Sequence, residues 1–224
     1  MDLESVLSKL KVEPDSILDV GCGRGATTFL LQRRFPGKQI VSLDIERWRL
    51  KYIYDEGLND TVICGSGTEL PIRKESMDLV VCDQVIEHLE QEKALIREIT
   101  RVLKPGGHLI VGSVMRRKLA LSIYRGKNGK IALSPDHVRE YRSVEEFTAL
   151  FKDYVDSTEV YTFPVRYPLI ITAVSILGEL RIIRDAPSIK RNLTAEHRLL
   201  TRLGMPRPGF SFIYLLGVKR EESR

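Results

Sequence analysis

The sequence predicts an α/β fold with a mostly parallel sheet, and three observations support this class. Short apolar runs alternate with segments whose apolar residues recur at helical spacing. One run, Met77 to Asp83, is almost continuously apolar at its centre, which is typical of a parallel strand buried on both faces. Another run, Ile17 to Val20, leads through three glycines into the helical pattern Thr27 to Phe35. This alternation implies right-handed crossovers between neighbouring strands.

Composition favours one globular domain over residues 1–224. With 43% hydrophobic and 29% charged residues, the chain can fill a core and is not disordered by composition. The net charge of +5 indicates a solvated basic surface more than a nucleic-acid patch. Cys22, Cys64 and Cys82 lack metal-ligand spacing, so we expect neither a metal site nor a disulfide framework. Residues 1–13 read as an amphipathic packing helix instead of a signal peptide, and we therefore expect a cytoplasmic protein.

The glycine-rich turn is the first candidate ligand site, and by itself it is ambiguous. Its pattern Gly21-x-Gly23-x-x-Ala26 fits the dinucleotide fingerprint, and a plain strand-to-helix turn also needs small residues. Glycine lets a ligand lie against the main chain beside the first turn of the helix. Asp19 ends the preceding strand, where a carboxylate is costly without a partner. That residue favours a cationic or amine-bearing ligand over a pyrophosphate.

The second strand supplies a further acidic residue beside this turn. Residues Gln39 to Leu43 form the strand, which ends in Asp44, nineteen residues after Gly25. A carboxylate at this position can accept hydrogen bonds from both hydroxyls of a ribose. Alternatively, it stabilises the start of a helix that begins near Glu46. Together with the glycine turn, the ribose role is favoured.

The following elements continue the alternation. Thr61 to Cys64 is a short third strand that runs into a glycine-rich loop, which lies either at an adenine ring or in plain solvent. After the fourth strand comes the amphipathic helix Glu92 to Leu103. A Pro-Gly-Gly turn then leads into strand five, His108 to Ser113.

The second half of the chain is less regular. Residues 115–142 form a basic, variable lid region that leaves strand five at the carboxyl edge, where α/β sheets bind ligands. Ser143 and Glu146 have the spacing of a capping box that opens a helix. No internal repeat is present in the sequence.

Strands six and seven are predicted at Val155 to Phe163 and Ser211 to Lys219. Between them lies a basic insert, residues 165–208, which is far longer than a hairpin needs. It reads as two helices, Pro168 to Ile183 and Leu193 to Leu203. We expect this helical insert to cap a small-molecule pocket, and its mixture of Ile, Leu and Arg also suits a membrane surface.

The ordered set of motifs resembles one family, the class I S-adenosylmethionine (SAM)-dependent methyltransferases, in the branch related to the ubiquinone and menaquinone enzymes. The motifs are Leu18-Asp-Val-Gly-Cys-Gly-Arg-Gly25, Ser42-Leu-Asp-Ile45, Asp78-Leu-Val-Val-Cys-Asp-Gln-Val-Ile-Glu-His-Leu89, Leu103-Lys-Pro-Gly-Gly-His-Leu-Ile-Val111 and, more weakly, His137-Val-Arg-Glu-Tyr141. The resemblance argues against a dehydrogenase. It implies a Rossmann-like, seven-stranded sheet in the order 3-2-1-4-5-7-6, with helices on both faces and the helical insert between strands six and seven.

The resemblance also implies roles for individual residues toward SAM. Asp19, Gly21, Cys22 and Gly23 would surround the methionine part of the cofactor. The ribose would lie at Asp44 and Ile45, the adenine at Ser66 and Gly67, and the methionine amine and sulfonium near backbone groups of Asp83 and Gln84. Ser66 stands where the family often has an aspartate. Its hydroxyl would accept a weaker hydrogen bond from the adenine amino group than a carboxylate would.

The implied reaction is an in-line displacement that moves the SAM methyl group to a small-molecule or lipid-like acceptor. If the acceptor must lose a proton, His137 is the first candidate base and His88 the second. The alternative for both is a structural role: His137 would be a capping residue, and His88 would stand at the start of a helix.

Two other functions remain open at this stage. The chain could be a SAM-binding regulatory or scaffold protein without transferase activity, or an RNA methyltransferase that uses the basic insert. We do not expect a nucleic-acid partner, because the chain lacks the Asn-Pro-Pro-Tyr or Asp-Pro-Pro-Tyr stretch of the base-methylating enzymes. Membrane contact through the insert fits its composition, and the sequence does not define the oligomeric state.

Overall fold

The chain forms one main sheet with helices on both faces. A computed structural model describes residues 2–59, 61–118, 120, 124–167 and 205–220. The strands in chain order are β1 (Ser16–Val20), β2 (Gln39–Asp44), β3 (Val62–Cys64), β4 (Met77–Asp83), β5 (Leu103–Arg116), β6 (Tyr124–Arg125), β7 (Ile131–Ala132), β8 (Val155–Tyr167) and β9 (Met205–Lys219). The helices are α1 (Asp2–Leu7), α2 (Ala26–Arg34), α3 (Arg47–Asp55), α4 (Glu92–Val102) and α5 (Val144–Thr148), with a 3₁₀ turn at Ile86–His88.

The main sheet has the order β3-β2-β1-β4-β5-β9-β8, and β6 and β7 form a separate ribbon. Strands β1 to β5 pair in parallel, while β9 runs antiparallel between β5 and β8. With β8 and β9 as the sixth and seventh strands, this confirms the order 3-2-1-4-5-7-6. Because β2 and β3 lie on one side of β1, and β4 and β5 on the other, the winding direction reverses between β1 and β4.

Alternating strand residues build a core on each face of the sheet. On one face, Ile17, Leu79 and Ile110 pack with α1 and α2. On the other, residues such as Leu18 and Val80 pack with α4 and α5. Burial of both faces explains the nearly continuous apolar runs in the central strands, and it confirms the expectation of helices on both sides.

Four elements differ in extent from their predictions by more than one residue. The N-terminal α-helix ends at Leu7, short of residue 13, because the amides of Lys9 and Leu10 donate to carbonyls three residues earlier and tighten the chain into a turn. Strand five is longer than predicted, since its pairing with β9 continues from His108 to Arg116. The β8–β9 ladder likewise continues to the pair Tyr167↔Met205.

The predicted insert, residues 165–208, is thereby shortened at both ends. Residues 165–167 belong to β8 and residues 205–208 to β9. The two predicted insert helices lie outside the described residues. No helix in the described part of the chain combines the length and apolar character needed to cross a membrane.

Candidate active site

The glycine loop after β1 is held in a conformation that suits glycine. Gly21, Gly23 and Gly25 all have left-handed backbones, with φ of 73°, 54° and 85°. The amide of Gly21 donates to the Leu43 carbonyl at 2.7 Å, which ties the loop to β2. A Cβ on Gly21 would lie 2.2 Å from Val85 Cγ2, whereas one on Gly23 would meet nothing within 4 Å. Gly21 therefore permits close packing, and Gly23 borders open space.

Asp44 links the end of β2 to this loop. Its side chain is only 3% exposed, and Oδ2 accepts a hydrogen bond from the Gly23 amide at 2.9 Å. Oδ1 accepts from the Glu46 amide at 2.8 Å, just before α3, and Arg49 Nη1 lies 3.6 Å from Oδ2. The helix-start contact that the sequence left as an alternative is thus present. Each oxygen keeps a second lone pair, so the carboxylate can still accept bonds from a ribose.

Asp19 is buried at the end of β1, with 1% exposure. Its Oδ2 accepts from Thr28 Oγ1 at 2.7 Å, and that hydroxyl lies 3.0 Å from Ser42 Oγ. Burial raises the pKa of Asp19 to about 7, against the lowering effect of the Thr28 hydrogen bond. Thr28 was not among the predicted site residues, although a hydroxyl in the first turn of α2 behind a buried Asp is a usable signal.

The exit of β4 carries two polar side chains with buried, unpartnered atoms. Gln84 has a left-handed backbone, with φ of 57°, and its amide donates to the Gly112 carbonyl at 3.0 Å. Within the described part of the chain, Asp83 Oδ1 and Gln84 Nε2 are buried without a hydrogen-bond partner. Burial raises the pKa of Asp83 to about 6, and the Tyr214 hydroxyl opposes that rise. Buried polar atoms are normally paired, so these two indicate a ligand position.

The expected contact of Gln84 backbone groups with a cofactor stays a prediction. Its backbone N–H is occupied by the Gly112 carbonyl across the β4–β5 pair, and this donor is not available to a cofactor. The side-chain amide and the backbone carbonyl remain.

The predicted adenine and ribose positions lie at the ends of β2 and β3. Ile45 is 69% exposed, which leaves an apolar side chain free to contact a ring. Ser66 Oγ lies 2.7 Å from Thr68 Oγ1 and accepts from the Thr68 amide at 3.2 Å. A Cβ on Gly67 would lie 3.0 Å from Leu95 Cδ1, so this loop packs closely on α4. Cys22 is buried, and burial raises the pKa of its thiol, which excludes a ready thiolate.

The two candidate bases are brought together beyond the β4 exit. The rings of His88 and His137 meet edge to face, with centroids 5.0 Å apart. His137 is 5% exposed, and its Nδ1 lies 2.9 Å from Glu140 Oε1. Burial by itself would lower the pKa of His137. The carboxylates of Glu140 and Glu87 have the larger combined effect, so the net pKa is raised. His88 is half-buried beside Asp136, and burial lowers its pKa.

Glu87 is the buried acid beneath this histidine pair. Its Oε2 accepts from Ser113 Oγ at 3.0 Å, while Oε1 has no hydrogen-bond partner among the described residues. Burial raises its pKa to about 7, partly opposed by His137. Donor atoms of Glu87, His88 and His137 lie within 4.8 Å of one another. The expectation of no metal site stays a prediction.

Glu87 and Glu140 were not among the predicted site residues, and the structure places both beside the histidine pair. The spacing of His137 and Glu140, three residues apart, was a readable signal for their contact. The buried hydrogen bond of Glu87 was not readable, because its partner Ser113 lies 26 residues away on β5.

Known proteins match the region that builds this site. Residues 18–111 match the family described as "Methyltransferase domain". The chain is 30% identical over 108 residues to a malonyl-[acyl-carrier protein] O-methyltransferase of Hahella chejuensis, covering 47% of this chain and 39% of that protein. It is 30% identical over 126 residues to a ubiquinone biosynthesis O-methyltransferase of Xanthomonas oryzae pv. oryzae, covering 54% of this chain and 52% of the relative.

The chain thus spans about half the length, or less, of these curated relatives. A solved structure of phosphoethanolamine N-methyltransferase 2 from Haemonchus contortus, in complex with phosphomonomethylethanolamine and S-adenosylhomocysteine, superposes with a TM-score of 0.68. That match covers 97% of this chain and 52% of the other, at 17% identity, and shows a shared fold.

Proposed function

We propose that the chain, whose residues 18–111 match a methyltransferase domain, is a class I SAM-dependent methyltransferase that transfers a methyl group from SAM to a small-molecule or lipid-like acceptor. The observation that carries the proposal is the crevice between β1 and β4. Open α/β sheets bind ligands at the carboxyl ends of the strands where the winding direction reverses. Here that position holds the open face of Gly23 and the buried, unpartnered atoms of Asp83 and Gln84.

The residues at this crevice fit SAM in chemistry. Asp83 and Asp19 offer carboxylates for an amine and a sulfonium, and Asp44 offers acceptors for a ribose. Ile45 and the loop at Ser66 and Gly67 would flank an adenine. SAM, when bound, supplies a methyl group on a positively charged sulfur that a nucleophile can attack in line. The chain's own contribution is to orient both reactants and to exclude water.

His137 is the residue that we assign to proton removal from the acceptor. Its Nδ1 is occupied by Glu140, so Nε2 is the nitrogen left for a substrate proton. Glu140 would stabilise the imidazolium that forms. His88 is the weaker candidate, because its half-buried ring sits beside Asp136 at the rim. Two relatives are named O-methyltransferases, and these names support an acceptor with an oxygen nucleophile.

The alternative of a SAM-binding protein without transferase activity predicts cofactor binding and no product. The alternative of an RNA methyltransferase rests on the basic insert, whose helices lie outside the described residues. A membrane role for the insert is a proposal that rests on the same segment. One experiment separates these possibilities in two stages.

The first stage is calorimetric titration with SAM. We expect the wild type to bind SAM and Asp44→Asn to lose about tenfold or more in SAM affinity. The reason is that asparagine replaces one of the two buried acceptor oxygens with an NH2 donor. Asp55→Asn is the matched control, since it removes the same charge from an exposed residue of α3. Failure of the wild type to bind SAM would sink the cofactor assignment.

The second stage measures S-adenosylhomocysteine release with pools of small metabolites, lipids and RNA. We expect release with a metabolite or lipid pool, and a lower kcat for His137→Gln at unchanged SAM affinity. Release with RNA alone would favour the RNA alternative. SAM binding without release in any pool would favour the regulatory protein.

A further inference from the structure

A cationic cleft adjoins the proposed acceptor side of the site. It lies between the carboxyl end of β5 and residues 128–146, and its cavity has a volume of about 160 Å³. Four cationic side chains line it, together with His137 and the carboxylates of Glu140 and Glu146; the four are Arg116, Lys130, Arg139 and Arg142. We propose that this cleft binds an oxyanion group of the methyl acceptor, a carboxylate or a phosphate, and that this contact places the acceptor beside His137.

The carboxylates of the cleft each face a positively charged group or a backbone amide. Glu140 Oε1 contacts His137 Nδ1, and Glu140 Oε2 lies 3.5 Å from Arg116 Nε, although Oε2 makes no hydrogen bond with the described residues. Glu146 Oε2 accepts a hydrogen bond from the Arg142 amide at 2.6 Å, as part of the start of α5. These two acids therefore do not neutralise the whole set of cations.

Three donors in the cleft are left for a ligand. The side chains of Lys130 and Arg142 are exposed and have no ion-pair partner within the part of the chain that the structure describes. Arg139 is held by Glu92 at 2.6 Å and by the Glu90 carbonyl at 2.8 Å, yet its Nε is buried without a partner. A buried guanidinium donor with nothing to bind is unusual, and an oxyanion would satisfy it.

The size of the cavity limits what enters it. A volume of about 160 Å³ is smaller than the roughly 300–1,000 Å³ that is typical of pockets for whole small molecules. The cleft suits one charged group and not a complete acceptor. The rest of the acceptor would extend toward His137, which lines the cavity and contacts His88.

The backbone connects this cleft to the methyl-transfer site. The amide of Val138 donates to the Glu87 carbonyl at 2.8 Å, and Arg116 donates its amide to the Tyr141 carbonyl at 2.7 Å. The cleft is therefore fixed to both the β4 exit and the end of β5. Binding of the oxyanion would act mainly on acceptor affinity and orientation, not on SAM.

This inference rests on the proposed function, and its test keeps the two apart. The wild type and the double variant Lys130→Gln/Arg142→Gln are titrated with SAM, then, as S-adenosylhomocysteine complexes, with inorganic phosphate and with acetate. Lys93→Gln/Arg97→Gln removes two exposed cations from α4 and is the matched control. We expect equal SAM affinity in all three proteins and a loss of about tenfold in oxyanion affinity in the first variant only.

The outcomes are distinguishable. Stronger binding of phosphate than of acetate assigns a phosphorylated acceptor, and the reverse order assigns a carboxylate acceptor. If the wild type binds SAM and neither anion, or if both double variants lose anion affinity equally, the cleft assignment is overturned and the methyltransferase proposal stands. If SAM itself does not bind, the proposed function fails whatever the anions do.

Discussion

Replacing Gly21 by alanine tests how the glycine loop is held, because two separate costs meet at this residue. A left-handed backbone, here with φ of 73°, costs a residue with a Cβ about 1–2 kcal/mol. The new Cβ would also lie 2.2 Å from Val85 Cγ2, and overpacking of this kind costs about 1–3 kcal/mol. We therefore expect Gly21→Ala to lower the free energy of unfolding by about 2–5 kcal/mol.

Two other glycines separate these costs. Gly37 has a similar φ of 75° in the turn after α2, with nothing within 4 Å of an added Cβ, so Gly37→Ala measures the backbone cost alone. Gly23 also has open space at its Cβ, but that space is the proposed cofactor site. We expect Gly23→Ala to match Gly37→Ala in stability, at about 1–2 kcal/mol, and to weaken SAM binding far more.

Urea unfolding followed by circular dichroism measures the stabilities, and calorimetry measures the SAM affinities. Equal destabilisation by Gly21→Ala and Gly37→Ala would refute the contact with Val85. Full SAM affinity in Gly23→Ala would refute the position of the cofactor against the loop.

Three further changes have defined outcomes. Burial raises the pKa of Glu87 to about 7, so the folded state binds a proton that the unfolded state has lost, and this residue should lower the stability by about 3 kcal/mol between pH 4.5 and 7. Asp19 and Asp83, whose pKa values are also raised, lower the stability over the same range in both proteins, so urea unfolding of Glu87→Gln should show a fall about 3 kcal/mol smaller than that of the wild type. Although burial opposes it, hydrogen bonds from Lys104 and Ser16 lower the pKa of Asp78 to about 2. Stability of about 2 kcal/mol should therefore be lost as the pH falls from 4 to 2, and Asp78→Asn should show a flatter acid profile. Ser143→Ala removes the hydroxyl that accepts from the Glu146 amide, and should cost about 1 kcal/mol in thermal or urea unfolding, with Ser143→Thr retaining most of it.

Local patterns predicted the parts of the fold that depend on neighbours in sequence. The bounds of β4 agree with the apolar run. Of the predicted capping box, the Ser143 hydroxyl accepts from the Glu146 amide three residues later, whereas the Glu146 carboxylate accepts from the Arg142 amide in place of the Ser143 amide. The strand order followed from the family resemblance and is confirmed. The glycine loop and Asp44 were predicted from local residue types: three closely spaced glycines follow one strand, and an acidic residue ends the next.

The rest depends on contacts between distant segments, which no local pattern encodes. Asp78 bonds to Ser16 across 62 residues, and this pairing requires the parallel register of β1 with β4. The burial of Glu87 and the unpartnered state of Arg139 Nε arise only when residues 137–141 pack against the β4 exit. The N-terminal helix was predicted too long, because Leu10 continues the apolar spacing of a helix after the backbone has left the helical conformation.

The position of β9 in the sheet has a consequence for synthesis of the chain on the ribosome. β9 pairs with β5 at nine positions and also carries β8, so β8 has no place in the sheet until residues 205–219 have been made. A nascent chain that ends before Met205 leaves the edge of β5 unpaired, and an unpaired apolar edge invites aggregation. Completion of the sheet is therefore a late folding step, and a stop codon anywhere in β8 or in the segment that follows would release a chain with an open edge.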